Sequence, residues 1–270
     1  KYMDTSDEWS QERSGIKERR YADRTAETTT TMGVEAATIA IERAGMTAQD
    51  VDFIIFATLS PDYYFPGCGV LLQRAMKMKE IGALDIRNQC SGFVYALSIA
   101  DQFIKTGMYK NILIVGSEKH SFGLDFSTRG RNISVIFGDG AGAVLLQPST
   151  DDNGVKDSIL KSDGSGAKFL HMKAGGSVKP ASIETVMAKE HFAYQEGQSV
   201  FKFAVKGMAD VSYELLQRNN LTADDIAWLV PHQANLRIID ATANRMNLPK
   251  EKVMINIQKF GNTTAGTIPL

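Results

Sequence analysis

The stretch Ile41–Ile55, IERAGMTAQDVDFII, recurs later in the chain, and this repeat decides the fold. It aligns without gaps on LQRNNLTADDIAWLV at residues 216–230, a shift of 175 residues. Each copy is typical of a helix end, a turn and a buried strand. The shift is far longer than the period of a solenoid. The repeat predicts two related α/β halves, residues 1–150 and 151–270, unless two helix–turn–strand units resemble each other by chance.

Helices and strands alternate around the first copy. The pattern predicts an amphipathic helix from Gly33, strands from Val51, Ala83 and Asn111, and helices over about 68–78 and 90–106. NISVIF and AGAVLL (132–137 and 141–146) follow as a predicted hairpin. The strands are apolar and β-branched, which favours burial on both faces. The alternation therefore predicts a largely parallel sheet covered by helices.

The repeat also predicts that the chain is trimmed at both ends. KVMINI, from Lys252, corresponds to the strand ALDIRN of the first half, and the sequence stops soon afterwards at Leu270. At the other end, GVKDSILKSDG, from Gly154, is predicted to be an opening strand with no counterpart before Lys1. We therefore expect the last elements of the second half and the first strand of the first half to be missing.

Composition excludes several classes of protein. The net charge is −1, so no overall field recruits nucleic acid or a membrane surface. Only two cysteines, Cys68 and Cys90, are present, which is typical of a reducing cytoplasm and not of a disulfide framework. No apolar run approaches the roughly 20 residues that a membrane-spanning helix needs.

Three polar side chains are predicted to converge at strand ends. Cys90 lies in RNQCSGFVYAL at a strand-to-helix junction, and Asn262 in FGNTTAG lies at the equivalent junction of the second half. His232 follows the predicted strand AWLV. A pseudo-twofold between the halves would bring these strand ends around one pocket, which is where ligands bind in open α/β sheets.

These residues suit nucleophilic catalysis. A helix start is expected to lower the pKa of Cys90 below about 8.5 and favour the thiolate, while Gly92 lets substrate approach the backbone. His232 and Asn262 are neutral donors, suited to the negative charge of a thioester oxygen but not to a zinc site. The alternative for each residue is structural: an inert buried cysteine, a core histidine or a turn asparagine.

Six motifs in order resemble one family. They are DTSDEW (from Asp4), RSGIKER (from Arg13), QCSGFVYAL, FGDGAGA (from Phe137), HQANLRI (from His232) and GNTTAG (from Gly261). Over essentially the whole chain the sequence is similar to β-ketoacyl-acyl carrier protein synthase III of the thiolase superfamily. The resemblance implies a thiolase-like α/β fold of two pseudo-twofold-related βαβαβαββ halves in α-β-α-β-α layers, with a leading strand and a C-terminal region that are absent here.

The resemblance also implies a reaction. Cys90 takes an acyl group from acyl-coenzyme A, and malonyl-acyl carrier protein then loses carbon dioxide while His232 and Asn262 stabilise the enolate. The enolate attacks the acyl-Cys90 thioester. No metal or redox cofactor is expected, and the protein is expected to be a cytoplasmic homodimer that binds neither nucleic acid nor membrane.

Further substrate contacts are carried over from the resemblance. Trp9 would stack on the adenine of coenzyme A, although it could instead pack behind a capping box at Thr5 and Glu8. Phe65 would cross the dimer interface towards the partner's acyl pocket, unless it is an ordinary loop aromatic. The remaining expected contacts are Arg13, Arg129, Phe201 and Asn235, the last of which could instead cap a helix. Gln198 replaces the family's usual asparagine, which leaves the pantetheine contact there open.

A basic patch and two alternative functions complete the expectations. Lys202 and Lys206, with Arg237 and Arg245, would bind the acidic carrier protein, or else form a solvated helix face. The loops SPDYYFPGCG and GSEKHSFGLDFSTRGR differ from those expected of the housekeeping enzyme, so the acyl group stays open. The alternatives are a secondary-metabolite condensing enzyme or acyltransferase of the same fold, and a non-catalytic partner subunit. FGDGAGA lacks dinucleotide-loop spacing and is interpreted as a structural turn.

Overall fold

The computed structural model describes residues 3–270, which form two compact units. The sheet unit consists of Arg19–Lys119, Gly138–Ser158 and Asn262–Leu270. The helical unit consists of the described residues up to Glu18, together with His120–Phe137 and Ile159–Gly261. These units group residues by contact, whereas the halves 1–150 and 151–270 were inferred from the repeat. The division into halves therefore stays a prediction, and residues 1 and 2 lie outside the described part of the chain.

The sheet unit is a four-stranded sheet with helices between its parallel strands. The helices and strands, in chain order, are α2 (Thr29–Arg43), β1 (Phe53–Ala57), α3 (Cys68–Ala75), β2 (Gly82–Ile86), α4 (Gly92–Lys105), β3 (Ile112–Glu118) and β4 (Gly140–Leu146), where α1 belongs to the other unit. The strand order is β2-β1-β3-β4. The predicted alternation of helices and strands in the first half is confirmed.

The register of the sheet aligns the ends of three strands. β1 is parallel to both β2 and β3, and Ala57 pairs with Ile86 on one side and with Gly116 on the other. β4 is antiparallel to β3. The loops after β1, β2 and β3 therefore leave the same edge of the sheet, which is the edge where ligands bind in folds of this type.

Both faces of the central strands β1 and β3 are buried, as their apolar residues predicted, whereas the edge strands β2 and β4 are partly exposed. Ile54 and Phe56 of β1 pack in one core cluster with Ala37 of α2 and Leu72 of α3. The alternate residues of β1 pack on the opposite face with α4, in a second cluster that includes Phe93. Side chains alternate between the faces of a strand, so a strand buried throughout requires cover on both sides.

The helical unit contains one long helix and several short elements. They are α1 (Asp7–Ser14), α5 (Arg131–Ser134), β5 (Leu170–Met172), α6 (Ile183–Met187), β6 (Ala193–Gln195), α7 (Gly197–Arg218), α8 (Leu236–Arg245) and α9 (Ile257–Phe260). The core of this unit joins Ile16, Leu216 of α7, Ile239 of α8 and Ile257 of α9.

The strands predicted for the second half are largely wrong. Within the described residues, AWLV and KVMINI are reduced to one parallel bridge between Leu229 and Val253. No strand is found in the segment from Gly154 to Gly164. The side chain of Trp228 is 58% exposed, so the predicted buried strand lacks the cover on both faces that a parallel strand requires.

The predicted hairpin is also wrong in its first strand. NISVIF begins with the short helix α5, and the Ser134 hydroxyl donates a hydrogen bond of 2.7 Å to the Asp125 carbonyl. That side chain-to-backbone bond competes with strand pairing, although the apolar alternation of the segment is typical of a strand. β4 instead pairs with β3. FGDGAGA therefore joins a helical turn to a strand.

No helix among residues 3–270 is both long enough and apolar enough to cross a bilayer.

The stability of the sheet unit should depend strongly on Leu72. Its side chain is fully buried, whereas Val70, on the same helix α3, is 41% exposed. We expect Leu72→Ala to lower the free energy of unfolding by about 2–5 kcal/mol, because it leaves a cavity in the core. The matched control Val70→Ala should change it by less than about 1 kcal/mol. Urea denaturation measures both, and equal effects would show that α3 does not pack as described.

Candidate active site

Cys90 lies on a sharp turn between β2 and α4. Gln89 has a φ of 44°, in the left-handed region that non-glycine residues rarely adopt. Residues Gln89–Ser91 form a one-turn 3₁₀ helix, and α4 begins at Gly92. A strained backbone at this point holds the cysteine where the strand becomes a helix. The predicted strand-to-helix junction is therefore confirmed.

Asn262 contacts Cys90 within the sheet unit. The Asn262 side chain is 4% exposed and donates a hydrogen bond to the Cys90 sulfur. Its Oδ1 accepts a hydrogen bond of 2.9 Å from the Thr264 N–H, and its carbonyl accepts one of 3.0 Å from the Gly138 N–H. The structure thus brings together two of the three residues predicted from the sequence and fixes the asparagine side chain by its own turn.

The prediction that Cys90 has a lowered pKa is wrong. Burial, and then the negative charge of Glu118, raise the pKa of Cys90 to about 12. Hydrogen bonds from its own N–H and from Asn262 lower the pKa, but by less. Burial disfavours the charged form of a thiol, and a helix start offsets only part of that effect. Cys90 is half-buried as a residue, and its raised pKa favours the thiol over the thiolate.

Glycines let the Asn262 turn approach the sheet. A Cβ on Gly116 of β3 would lie 2.2 Å from the Ala265 carbonyl oxygen, and a Cβ on Gly142 of β4 would lie 2.5 Å from the Pro269 carbonyl carbon. A Cβ on Gly92 would lie 3.3 Å from that of Ala265. Gly92 and the glycine of FGDGAGA at position 142 therefore serve close packing. The predicted roles of Gly92 in substrate approach and of the FGDGAGA glycines in a tight turn stay predictions.

Glu118 is a polar residue at this edge that the sequence reasoning missed. It is the last residue of β3, its side chain is fully buried, and burial raises its pKa to about 7. The signal was present, because a glutamate closes the otherwise apolar strand ILIVGSE. A carboxylate without exposure at the end of a buried strand is rare unless its bonds are satisfied.

His232 lies in the helical unit, in a loop held by Gln233. The Gln233 side chain donates to the carbonyls of Pro231 and Met254 and accepts from the N–H groups of Asn256 and Ile257. Burial lowers the pKa of His232 to about 4, so its ring is neutral near pH 7 as predicted. Within the described residues neither ring nitrogen has a hydrogen-bond partner. A buried polar group in this state is suited to bind a substrate.

Trp9 lies close to two arginines of the helical unit. The Arg13 guanidinium lies 4.8 Å from the ring centroid and that of Arg131 lies 5.4 Å from it. Ser6, not Thr5, caps helix α1, by accepting a hydrogen bond from the Trp9 N–H. Arg131 was not predicted from the sequence. An aromatic ring flanked by cations is suited to a planar ring that carries phosphates.

The predicted phosphate ligand Arg129 is engaged within the protein. Its Nε donates a hydrogen bond of 2.7 Å to the Asp125 carboxylate. Ser127 donates to the same carboxylate, and these bonds hold the pKa of Asp125 low, at about 2. Arg129 would have to share its charge with Asp125 to bind a phosphate.

Three further predicted contacts are placed as follows. Asn235 caps α8 by accepting from the Arg237 N–H, and its Nδ2 donates to the Arg13 carbonyl, so the capping alternative is observed. Phe201 lies on α7, 4.9 Å from the Arg237 guanidinium. Phe65 is 81% exposed in the sheet unit. Their roles in binding substrate stay predictions.

The predicted basic patch is partly neutralised. Arg245 lies 3.7 Å from the Asp210 carboxylate and 3.9 Å from the Tyr213 ring centroid. The Arg237 guanidinium donates to the Arg13 carbonyl. Lys202 and Lys206 are both exposed on α7. The two lysines are therefore the stronger part of the patch.

The fold and the cysteine junction define a class, the thiolase-fold condensing acyltransferases. The sequence models described as 3-Oxoacyl-[acyl-carrier-protein (ACP)] synthase III and its C-terminal domain match residues 84–164 and 216–270. A relative named Beta-ketoacyl-[acyl-carrier-protein] synthase III 2, from Bacteroides thetaiotaomicron, is 46% identical over 100% of this chain and 80% of its own length. One from Chlorobaculum tepidum is 48% identical over 99% of this chain and 82% of its own length. The chain belongs to the β-ketoacyl-acyl carrier protein synthase III family.

Solved structures support the same fold. The crystal structure of 3-oxoacyl-[acyl-carrier-protein] synthase III from Aquifex aeolicus is 42% identical, with a TM-score of 0.88, and covers 99% of this chain and 80% of its own. The priming β-ketosynthase of the R1128 polyketide pathway is 30% identical, with a TM-score of 0.86, and covers 99% and 79%. The predicted thiolase-like α/β class is confirmed.

Membership of the family gives the reaction class. Enzymes of this family condense an acyl-coenzyme A with malonyl-acyl carrier protein and so initiate fatty acid synthesis, and this chain is an acyltransferase of that type. The predicted function and enzyme class are confirmed at this level.

The thiol state of Cys90 can be measured directly. Because the pKa of Cys90 is raised to about 12, little thiolate is present near pH 8, and alkylation by iodoacetamide should still be accelerating above pH 9. Peptide mass spectrometry separates Cys90 from Cys68 and gives the rate at each pH. A midpoint below about 8.5, the ordinary value for cysteine, would restore the thiolate interpretation.

Proposed function

We propose that the chain works by a ping-pong mechanism centred on Cys90. The sulfur attacks the acyl-coenzyme A thioester, the Cys90 proton passes to the departing coenzyme A thiolate, and acyl-Cys90 forms. Malonyl-acyl carrier protein then loses carbon dioxide to leave an enolate. The enolate carbon attacks the acyl-Cys90 carbonyl, the bond between that carbonyl and the sulfur breaks, and β-ketoacyl-acyl carrier protein leaves. The Cys90 thiolate then takes a proton from solvent. A covalent intermediate divides one difficult transfer into two easier ones.

The observation that carries the proposal is the Cys90 junction itself. Cys90 follows a parallel strand at the ligand-binding edge of the sheet, and Asn262 donates a hydrogen bond to its sulfur. A donor fixed beside the sulfur stabilises negative charge that develops there. A non-catalytic partner subunit would need neither group.

His232 and Asn262 are proposed to stabilise the enolate. Two features of His232 support this role: its ring is neutral near pH 7, and both of its nitrogens lack partners within the described residues. A neutral imidazole has one N–H group, which can donate a hydrogen bond to an enolate oxygen. Asn262 is already fixed by Thr264, so its N–H donors need little reorganisation. No step requires a metal or a redox cofactor.

Coenzyme A is proposed to bind at Trp9. The adenine would stack on the indole between Arg13 and Arg131, which supply positive charge for the phosphates. Arg129, Phe201 and Asn235 are proposed to contact parts of coenzyme A beyond its adenine.

The proposed partners and location follow from exposed charge, an exposed ring and the free cysteines. Lys202, Lys206, Arg237 and Arg245 would attract the acidic carrier protein. Phe65, with its exposed ring, would contact a second copy in a homodimer. A cytoplasmic location fits the two free cysteines, and nothing in the proposal requires nucleic acid or a membrane.

A second candidate is a priming enzyme of secondary metabolism with a non-acetyl acyl group. The likeness to the polyketide priming β-ketosynthase favours it. Both candidates use Cys90 in the same way and differ in the acyl group.

Acylation of Cys90 tests the proposal. Incubation with a panel of acyl-coenzyme A esters should add the mass of the preferred acyl group to the peptide that carries Cys90. Cys90→Ser should abolish the added mass because its hydroxyl is a much weaker nucleophile, while the matched control Cys68→Ser should keep it. Absence of acylation with every ester would overturn the mechanism, and the preferred ester decides between the two candidates.

The binding role of Trp9 is tested by the two tryptophans of the chain. Trp9→Ala should raise the KM for acyl-coenzyme A by about tenfold, which corresponds to a loss of roughly 1.4 kcal/mol. Trp228→Ala, at a tryptophan 58% exposed, is the control and should leave the KM unchanged. Steady-state kinetics at fixed malonyl-acyl carrier protein gives both values. Equal KM values for Trp9→Ala and the parent would place adenine elsewhere.

A further inference from the structure

The buried carboxylate of Glu118 joins the loop after β1 to the end of β3. It accepts a hydrogen bond of 2.5 Å from the Ser60 hydroxyl and one of 3.1 Å from the Thr58 hydroxyl. The N–H groups of Leu59 and Ser60 also donate to it, at 3.1–3.2 Å. The side chain is 0% exposed. These bonds occupy both carboxylate oxygens and fix the carboxylate at the ligand-binding edge.

The same carboxylate holds the turn that carries Asn262. The Ala265 N–H donates a hydrogen bond to Glu118. Ala265 follows Thr264, whose φ of 51° is unfavourable for a residue with a side chain. The Ala265 carbonyl lies so close to β3 that only a glycine fits at position 116. The hydrogen bond between the Ala265 N–H and Glu118 therefore holds this strained turn, and with it Asn262, against β3.

Glu118 also acts on Cys90 through its charge. Its negative charge is the second cause, after burial, of the raised pKa of Cys90. The other groups that contact the carboxylate are the hydroxyls and N–H groups described above, and they carry no charge. The ammonium group of the next residue, Lys119, donates hydrogen bonds to the backbone carbonyls of Asp23 and Glu27. Cys90 and Glu118 are therefore the two titratable groups of this cluster.

We propose that Glu118 is a positioning residue for the condensing reaction, which holds the Asn262 turn against the cysteine junction. Through its negative charge the same carboxylate also opposes formation of the Cys90 thiolate. The proposal rests on the proposed function, because it assigns Asn262 and Cys90 their roles in that reaction. A resting thiol is protected from oxidation and alkylation, which attack the thiolate.

A purely structural role for Glu118 predicts a different result. Five donors surround the carboxylate, from Thr58, Leu59, Ser60 (two) and Ala265, and a glutamine has only one acceptor oxygen to offer them. A structural role alone therefore predicts that Glu118→Gln lowers stability and activity and leaves the proton affinity of Cys90 unchanged. A positioning role that includes charge predicts that Glu118→Gln makes Cys90 easier to alkylate and at the same time slows condensation.

The test compares Cys90 alkylation with condensation in Glu118→Gln. Above pH 7 the carboxylate of the parent is ionised and opposes the thiolate, and the amide of the variant does not. The midpoint for iodoacetamide alkylation of Cys90 should therefore fall by roughly one to two pH units in the variant. Condensation with malonyl-acyl carrier protein should fall by at least about tenfold, because Asn262 loses its anchor. An unchanged midpoint would overturn the proposal.

Two further variants complete the test. Glu118→Asp keeps the charge and shortens the reach, so its alkylation midpoint should stay near that of the parent while condensation falls. A midpoint in Glu118→Asp as low as in Glu118→Gln would overturn the proposal, and this comparison holds even if the glutamine variant folds poorly. Asp85→Asn is the control for the loss of a carboxylate that accepts backbone N–H groups, from Cys68 and Gly69, and it should leave the midpoint unchanged.

Alkylation requires no substrate, which separates this proposal from the one on which it rests. If no acyl-coenzyme A acylated the parent enzyme, the proposed function would fail, whereas the shift in the alkylation midpoint would still report on Glu118.

Discussion

The parallel pairing of β1 with β2 and β3 is the constraint on which the site depends. Because Ala57 lies opposite both Ile86 and Gly116, the three strands end at one level of the sheet. Thr58, Cys90 and Glu118 follow or close these strands and meet at the same edge. The turn that carries Asn262 packs against β3 at this edge. No single residue of the cluster would be placed without the register.

The sequence predicted the parallel sheet well and the second half poorly. Five consecutive buried residues in β1 require cover on both faces, and that requirement is visible in the apolar run. NISVIF shows the same apolar alternation, but its first residues belong to helix α5, where the Ser134 hydroxyl donates to the Asp125 carbonyl. AWLV has one parallel neighbour and an exposed tryptophan, so its apolar pattern was not sufficient to make a strand. The apolar pattern predicts which residues are buried, whereas the available pairing partners decide whether the segment becomes a strand.

The sequence predicted which residues meet at the site, but it did not predict the protonation state of Cys90. Cys90 and Asn262 follow from their equivalent places in the repeat, and the contact between them agrees with it. The thiolate prediction weighed the helix start alone, whereas burial and a carboxylate 28 residues further along the chain decide the pKa. Glu118 and Arg131 were missed because each gains its meaning from a contact distant in sequence: Ala265 in one case and Trp9 in the other.

The central claim is that Cys90 carries the acyl group while His232 and Asn262 serve the malonyl half of the reaction. The most direct measurement is release of carbon dioxide from malonyl-acyl carrier protein by His232→Ala and Asn262→Ala, alongside acylation of Cys90 in the same proteins. The account predicts that His232→Ala forms acyl-Cys90 at the parent rate, that Asn262→Ala forms it more slowly because the sulfur loses a hydrogen-bond donor, and that both lose most of the carbon dioxide release. Loss of acylation in His232→Ala, or carbon dioxide release at the parent rate in either variant, would contradict it.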